Sequence, residues 1–381
     1  MSFDITFLGS SGGCLDGTTC AVLVKPHLIT YNDIITQQRF DDIICVDAGS
    51  GLNMLGHIIH HEIAHNSPYQ SGLDLYNDLL PVQKYIKPEI ITPFSRLNAS
   101  ESPLKHAFGI FHRVSAYLIS HPHLDHIASL AINSPAFSNN SSRQVYGALH
   151  TLSALQDHVF NGVIWPNMPK FNVVKLHSQK YWKPFSIANG NFTVNMFDIS
   201  HGKLIKLNNV SNLDKLVPLK ESDIDGNLDI KHYISSAFLI TIPSTNASLL
   251  VFGDFESDSI SLLNKNLTIW RHIAPLIVSR QLRGIILECS SSGDCDPDEL
   301  YGHLMPCHLI AELEKLRAEC FSVDPSLASP LNGFHIVVTH VKDVGYVDPR
   351  RRILNELEQL SQQAQLGIQF SVAISGVSIV L

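Results

Sequence analysis

Three imidazoles and one carboxylate crowd into six consecutive positions of this chain, within the run Ser120-His121-Pro122-His123-Leu124-Asp125-His126. The run follows an alternating apolar stretch, Val114 to Ile119, that reads as a buried strand. Beyond it, Ile127 to Ala131 reads as the start of a helix. His121 and His123 stand two apart, so on extended backbone they face one side and can grip one cation. Asp125 and His126 come as the chain turns toward the helix and are free to face a second. Imidazole with carboxylate and no thiolate suits zinc, with manganese or iron as alternatives. A solvated His-rich turn is the competing reading, and the apolar strand and helix on either side argue against it.

Other polar groups sit where apolar runs end. Ile43 to Val46 leads into Asp47, Phe192 to Ile199 into Ser200-His201-Gly202, and Ser248 to Phe252 into Gly253-Asp254. Gly284 to Leu287 leads into Glu288-Cys289-Ser290, and Phe334 to Thr339 into His340. A carboxylate at 254 has two oxygens and can hold a pair of cations a few ångströms apart. The early turn Ser10-Ser11-Gly12-Gly13 is not a phosphate loop, because the Gly-Lys-Ser/Thr ending is missing. His61-Glu62-Ile63-Ala64-His65 fits the zincin pattern H-E-x-x-H. Pro68 follows within a turn, and neither a third His at metzincin spacing nor a downstream ligating Glu is present, so a surface helix is expected there. Trp165 reads as core in preference to a base-stacking wall.

With 381 residues, 45% of them hydrophobic and 16% charged, the chain can bury a large core. No linker, low-complexity run or repeat divides it. A formal charge of −8 without a basic tail argues against DNA or tRNA as a partner. A small nucleotide stays open, since cations can meet its charge. Seven cysteines with no C-x-x-C pair, and no leader pattern at Met1 to Ile5, predict reduced thiols in a cytoplasmic protein. No apolar run reaches the length of a membrane span.

His-x-His-x-Asp-His is the signature of the metallo-β-lactamase superfamily. The form Ser-His-Pro-His-Leu-Asp-His resembles, more narrowly, the class II cyclic-nucleotide phosphodiesterases of the fungal low-affinity cyclic AMP type. Asn133-Ser134-Pro135, His158-Val159-Phe160-Asn161, Ile164-Trp165-Pro166, Glu288-Cys289-Ser290 and Tyr301-Gly302-His303-Leu304 share that resemblance. It implies an α/β fold, a four-layer α/β/β/α sandwich of two mixed sheets, with metals at one sheet edge. It implies His121, His123 and His201 around one cation, Asp125, His126 and His340 around the other, and Asp254 between them. Catalytic roles follow for Asp125, Asp254 and His303, and substrate contacts for His303, Glu288 and Ser290. Asp47 would brace the site loops. The family commonly has a second His where this chain has Ser200, a departure expected to cost little because the Gly-adjacent His201 is the ligand.

Two divalent ions, zinc first among them, would turn a bridging water into an in-line nucleophile on phosphorus. Attack with the 3′ oxygen leaving gives 5′-nucleotides from 3′,5′-cyclic ones, with cyclic AMP expected ahead of cyclic GMP. The resemblance runs from the first strand to the last, in one domain over 1–381, leaving insertions near 52–110, 203–232 and 256–282 unmatched. Two rivals share the fold: a tRNA-processing nuclease, which should show a basic face or arm, and a non-catalytic metal-binding scaffold, which should have lost ligands. The acidic composition argues against the first and the full ligand set against the second. Neither nucleic acid nor membrane is expected as a partner, and a homodimer is left open.

Overall fold

The computed structural model describes residues 2–137, 142–204, 231–296 and 299–381. Its strands, in chain order, are β1 (Phe3–Gly9), β2 (Ala21–Pro26), β3 (Ile43–Val46), β4 (Glu89–Ile91), β5 (Val114–Ile119), β6 (Arg143–Gly147), β7 (Val174–Ser178), β8 (Phe185–Ile187), β9 (Phe192–Leu204), β10 (Lys231–Ile242), β11 (Ala247–Phe252), β12 (Leu282–Glu288), β13 (His335–Thr339), β14 (Gln369–Val372) and β15 (Ser378–Val380). They form two sheets, ordered β4-β15-β1-β2-β3-β5-β6-β7 and β14-β13-β12-β11-β10-β9-β8. Each sheet is antiparallel in one half and parallel in the other. The parallel halves are β3-β5-β6-β7 and β11-β12-β13-β14.

Alternation along the strands builds the layers. In β5, Ala116 and Leu118 point between the sheets, where they meet Met196, Phe238 and Val251. Tyr117 and Ile119 point the other way, into a core shared with Ile58 of the helix Leu52–His65 and Ile110 of the helix Pro103–Phe111. In β11, Leu249 and Val251 face the partner sheet. Leu250 and Phe252 face Trp270, Leu313 and Leu357 of the helices Lys265–Val278, Pro306–Val323 and Pro349–Gln363. Three cores thus separate four layers, helix, sheet, sheet and helix. Strands buried on both faces read as largely apolar runs, which is why β5 and β11, each with a single serine, stand out in the sequence.

Two of the three segments unmatched by the resemblance belong to these layers. Segment 52–110 supplies two packed helices and β4, which pairs with β15. Segment 256–282 supplies the helix that carries fully buried Trp270 and Ile273. The third, 203–232, falls mostly on residues 205–230, outside the described residues. Trp165 packs against the outer core as expected, and its Nε1–H donates to Ser134 Oγ at 3.1 Å. No helix among the described residues is long and apolar enough to cross a membrane. The carboxyl ends of β3, β5, β11, β12 and β13 gather at one edge of the sandwich, the place where open α/β sheets present ligand sites.

Candidate metal and catalytic site

β5 stops at Ile119, and the chain stays extended through His123, the N-cap residue of the helix Leu124–Asn133 (φ −67°, ψ 149°). Extended backbone places His121 and His123 together, and the first helical turn swings Asp125 and His126 inward. Asp254 follows the end of β11, and His340 follows the end of β13. His201 lies within β9, which continues to Leu204 instead of ending before it.

Two clusters result. Donor atoms of His121, His123, His201 and Asp254 lie within 4.8 Å of one another, as do those of Asp125, His126, Asp254 and His340. Asp254 Oδ2 is common to both. It stands 3.0 Å from His340 Nε2, 3.2 Å from His126 Nε2, 3.6 Å from His121 Nε2 and 3.7 Å from His201 Nε2. Asp125 Oδ2 lies 3.2 Å from His340 Nε2 on the other side.

The second nitrogen of several of these rings is used to aim it. His126 donates Nδ1–H to Asp47 at 2.8 Å, and Asp47 also accepts the backbone N–H and hydroxyl of Ser120. His201 donates Nδ1–H to the Gly302 carbonyl at 3.0 Å. Only glycine fits there: its φ is +84°, and a Cβ would stand 2.6 Å from the His201 carbonyl carbon. His340 donates Nδ1–H to Ser290 Oγ at 3.0 Å, and that hydroxyl donates onward to Glu288 Oε2. Glu288 Oε1 accepts His303 Nδ1–H at 2.9 Å and the Phe255 N–H at 2.8 Å. Glu288 and Ser290 are therefore buried and committed to two imidazoles, with their polar atoms turned away from solvent. His340 and Asp47 hold left-handed backbone, φ +57° and +55°, a costly conformation that persists where surrounding contacts over-determine it.

The donor set fits divalent cations. Nε2 of His121 and of His126 is buried without a hydrogen-bond partner. Burial holds His121 well below the ordinary imidazole range and His201 down at about 4, so both rings are neutral, as a metal requires. Burial also opposes charge on His126 and His340, but facing carboxylates win. Asp254 and Asp47 hold His126 well above its ordinary value, while Asp254 and Asp125 push His340 up to about 10. Protons occupy these two rings in the metal-free site, and a cation binding there releases them.

The H-E-x-x-H segment takes no part. His61 Nε2 meets Ser67 Oγ at 3.1 Å, and His65 Nδ1–H donates to the His61 carbonyl at 3.1 Å. Glu62 turns into the core, accepts the Phe94 N–H at 2.8 Å, and is pushed up to about 8 by burial. The double variant His61→Ala, His65→Ala is expected to keep its metal content and to hydrolyse substrate within about twofold of the parent, the usual range for surface changes. Elemental analysis and assay on one preparation check both.

Two further contacts carry no local sequence signal. Tyr233 lies flat on His123, ring centroids 4.8 Å apart at 12°, and edge-on to His121 and His201. Burial pushes its phenol up to about 12, so a neutral hydroxyl borders the site. Gly12 lies against His340, where a Cβ would stand 2.3 Å from Nδ1. The glycine-rich turn is thus a platform for an imidazole.

Known proteins share this arrangement of chain and fold. A family model described as cAMP phosphodiesterases class-II matches residues 32–376. A 3′,5′-cyclic-nucleotide phosphodiesterase of Candida albicans is 43% identical over 429 residues, with 100% of each chain covered. The crystal structure of unliganded yeast PDE1 is similar at a TM-score of 0.80 and 27% identity, covering 100% of this chain and 99% of that one. The metallo-beta-lactamase fold protein YhfI of Bacillus subtilis matches at a TM-score of 0.52 and 13% identity over 100% of both chains, a likeness of fold.

Proposed function

Since the chain belongs to the class-II cAMP phosphodiesterases, hydrolases of 3′,5′-cyclic nucleotides, we propose a role for each residue in opening the cyclic phosphodiester. His121, His123 and His201 hold one divalent cation, Asp125, His126 and His340 the other, and Asp254 serves both. Zinc suits this set of imidazoles and carboxylates. When bound, such ions lower the pKa of water and neutralise phosphate oxygens. Asp47, Ser120, Ser290, Glu288 and the Gly302 carbonyl aim the rings. His303 stands outside the two clusters around Asp254, and with Nδ1 fixed on Glu288 its Nε2 is the atom left for substrate. There it holds a proton for the departing ribose oxygen. The observation that carries this reading is one Asp254 oxygen with Nε2 of four imidazoles within 3.7 Å of it.

Glu288 supports both the cation site and the acid. Glu288→Gln keeps the shape but removes the charge that orients His340, through Ser290, and His303 directly. Metal affinity is expected to fall about 10–100-fold, the scale for losing such a partner. Competition with a chelator measures it, and an unchanged affinity together with an unchanged rate refutes the role.

The strand β15 pairs with β1, which supports one folding unit over 1–381. Seven free cysteines support a cytoplasmic enzyme that lowers cyclic AMP, and the charge of −8 favours a small nucleotide over RNA. Purified protein offered cyclic AMP, cyclic GMP and a precursor tRNA is expected to release 5′-nucleotides, AMP fastest, and to leave the tRNA intact. Chromatographic detection of 3′-AMP would reverse the assumed pose, and trimmed tRNA would favour the nuclease.

A further inference from the structure

Cys20 immediately precedes β2, and its sulfur lies with donor atoms of His126 and His340 so that all three are within 4.8 Å of one another. All three residues are buried, at 6%, 1% and 2% exposure. A cavity of about 20 Å³ sits beside them, lined in part by Cys20, Asp47, His126, Asp254, Glu288 and His340. That is room for about one water or one ion. His126 Nε2 is buried and makes no well-aligned hydrogen bond, its nearest acceptor being Asp254 Oδ2 at 3.2 Å. Nδ1 of each imidazole is already engaged, by Asp47 and by Ser290, so the Nε2 atoms are the ones a cation can take, that of His340 in exchange for its contacts with Asp125 and Asp254. The thiol makes one weak contact, to the Ser11 carbonyl at 3.7 Å, which a metal–sulfur bond readily replaces.

We propose that Cys20, His126 and His340 form a binding site for a thiophilic divalent cation such as cadmium, which displaces the second resident ion and inhibits the enzyme. On binding, the S–H bond breaks and its proton leaves to solvent, as do the Nε2 protons that His126 and His340 carry in the metal-free site; the sulfur and ring-nitrogen lone pairs then bond the cation, and nothing is oxidised or reduced. Thiolate selects soft cations, whereas the carboxylates of Asp125 and Asp254 suit harder ones. Burial, against the opposing charge of His126 and with the nearby carboxylates adding to it, holds the thiol well above its ordinary range. Because the new site takes His126 and His340, it excludes the cation that Asp125 shares with those rings. This displacement rests on the roles proposed above; sulfur ligation does not.

Cadmium is titrated into the metal-free protein on a background carrying Cys14→Ser, Cys295→Ser and Cys307→Ser, which removes the less buried thiols. The expected result is an ultraviolet sulfur-to-cadmium charge-transfer band that saturates at one cadmium per chain and is lost when Cys20→Ser is added. Cadmium inhibition of the zinc-loaded enzyme should weaken at least the roughly 10–100-fold that losing an outer partner of a metal ligand costs. Zinc stoichiometry of each variant shows that it folds, and if Cys20→Ser fails this check, Cys20→Ala takes its place. A band that survives the loss of Cys20, or no band at all, overturns sulfur ligation. Undiminished inhibition in a Cys20 variant that still binds two zinc ions overturns the displacement alone, leaving the hydrolytic reading intact.

Discussion

His303→Ala is expected to keep both cations and to lower kcat by about 10²–10⁴, the scale of general acid catalysis. Opening a cyclic phosphodiester expels a sugar alkoxide, a poor leaving group that needs a proton as the P–O bond breaks. His303 is the residue proposed to deliver one. Its ring is stacked on His340 (4.9 Å, 22°) and set edge-on to His201 (4.8 Å, 63°), while Nδ1–H is fixed on Glu288. Packing and that hydrogen bond fix the ring, with Nδ1 committed to the Glu288 carboxylate and Nε2 left for substrate. Removing the ring does not strand Glu288, which keeps the Phe255 N–H and the Ser290 hydroxyl. The loss of rate should shrink for a nitrophenyl phosphodiester, whose leaving group needs little protonation. Equal losses on both substrates would make His303 a phosphate-binding residue, and loss of metal would make it a ligand.

The chain declares its candidate metal clusters because each rests on a device visible locally. β5, β11 and β13 each have at least one parallel neighbour and are covered on both faces, so they read as largely apolar runs, and the polar residue that follows each one stands out. His121, His123, Asp125 and His126 sit on one strand-to-helix junction, where spacing alone orients them. What spacing cannot show is which way a strand-end side chain turns, since one residue reverses the face. Glu288 and Ser290 illustrate this, turning under the site toward His303 and His340.

Long-range contacts hid the rest. β4 is three residues long and is held by β15, three quarters of the chain away, so the polar, proline-punctuated segment around it reads as an insertion. Glu62 looks like a zincin base until its partner, the Phe94 N–H, is known. Tyr233 sits early in β10, whose apolar alternation is legible only from Ser235 onward, and it meets His123 across 110 positions of sequence. Cys20 and Gly12 acquire meaning only when the sandwich closes and brings His340 beside them.

Asp254→Ala is expected to bind one cation in place of two and to lose at least about 10²–10³ in kcat/KM, the cost of deleting one electrostatic element of a preorganised site. Asp254 is nearly fully buried, and burial alone would raise its pKa. The charges of His126 and His340 outweigh that and hold the carboxyl well below its ordinary value, so it is an anion set among imidazoles. Without it, His121, His123 and His201 still offer three neutral rings, a set that holds zinc with water as the fourth ligand. The other cluster fares worse. It keeps Asp125, His126 and His340, but Asp125 is partly exposed, and the carboxylate oxygen closest to His340 is gone. In the metal-free protein the same substitution removes the largest upward influence on His126 and His340, leaving burial opposed by Asp47 at the one ring and by Asp125 and Glu288 at the other. Their imidazolium forms should then be lost at a lower pH, His340 moving down from about 10, which ring-proton NMR titration reads directly. Elemental analysis gives the cation count on the same samples. A variant that retains two cations and the parent rate would show that no shared carboxylate is needed, and the assignment of Asp254 to both clusters would fall.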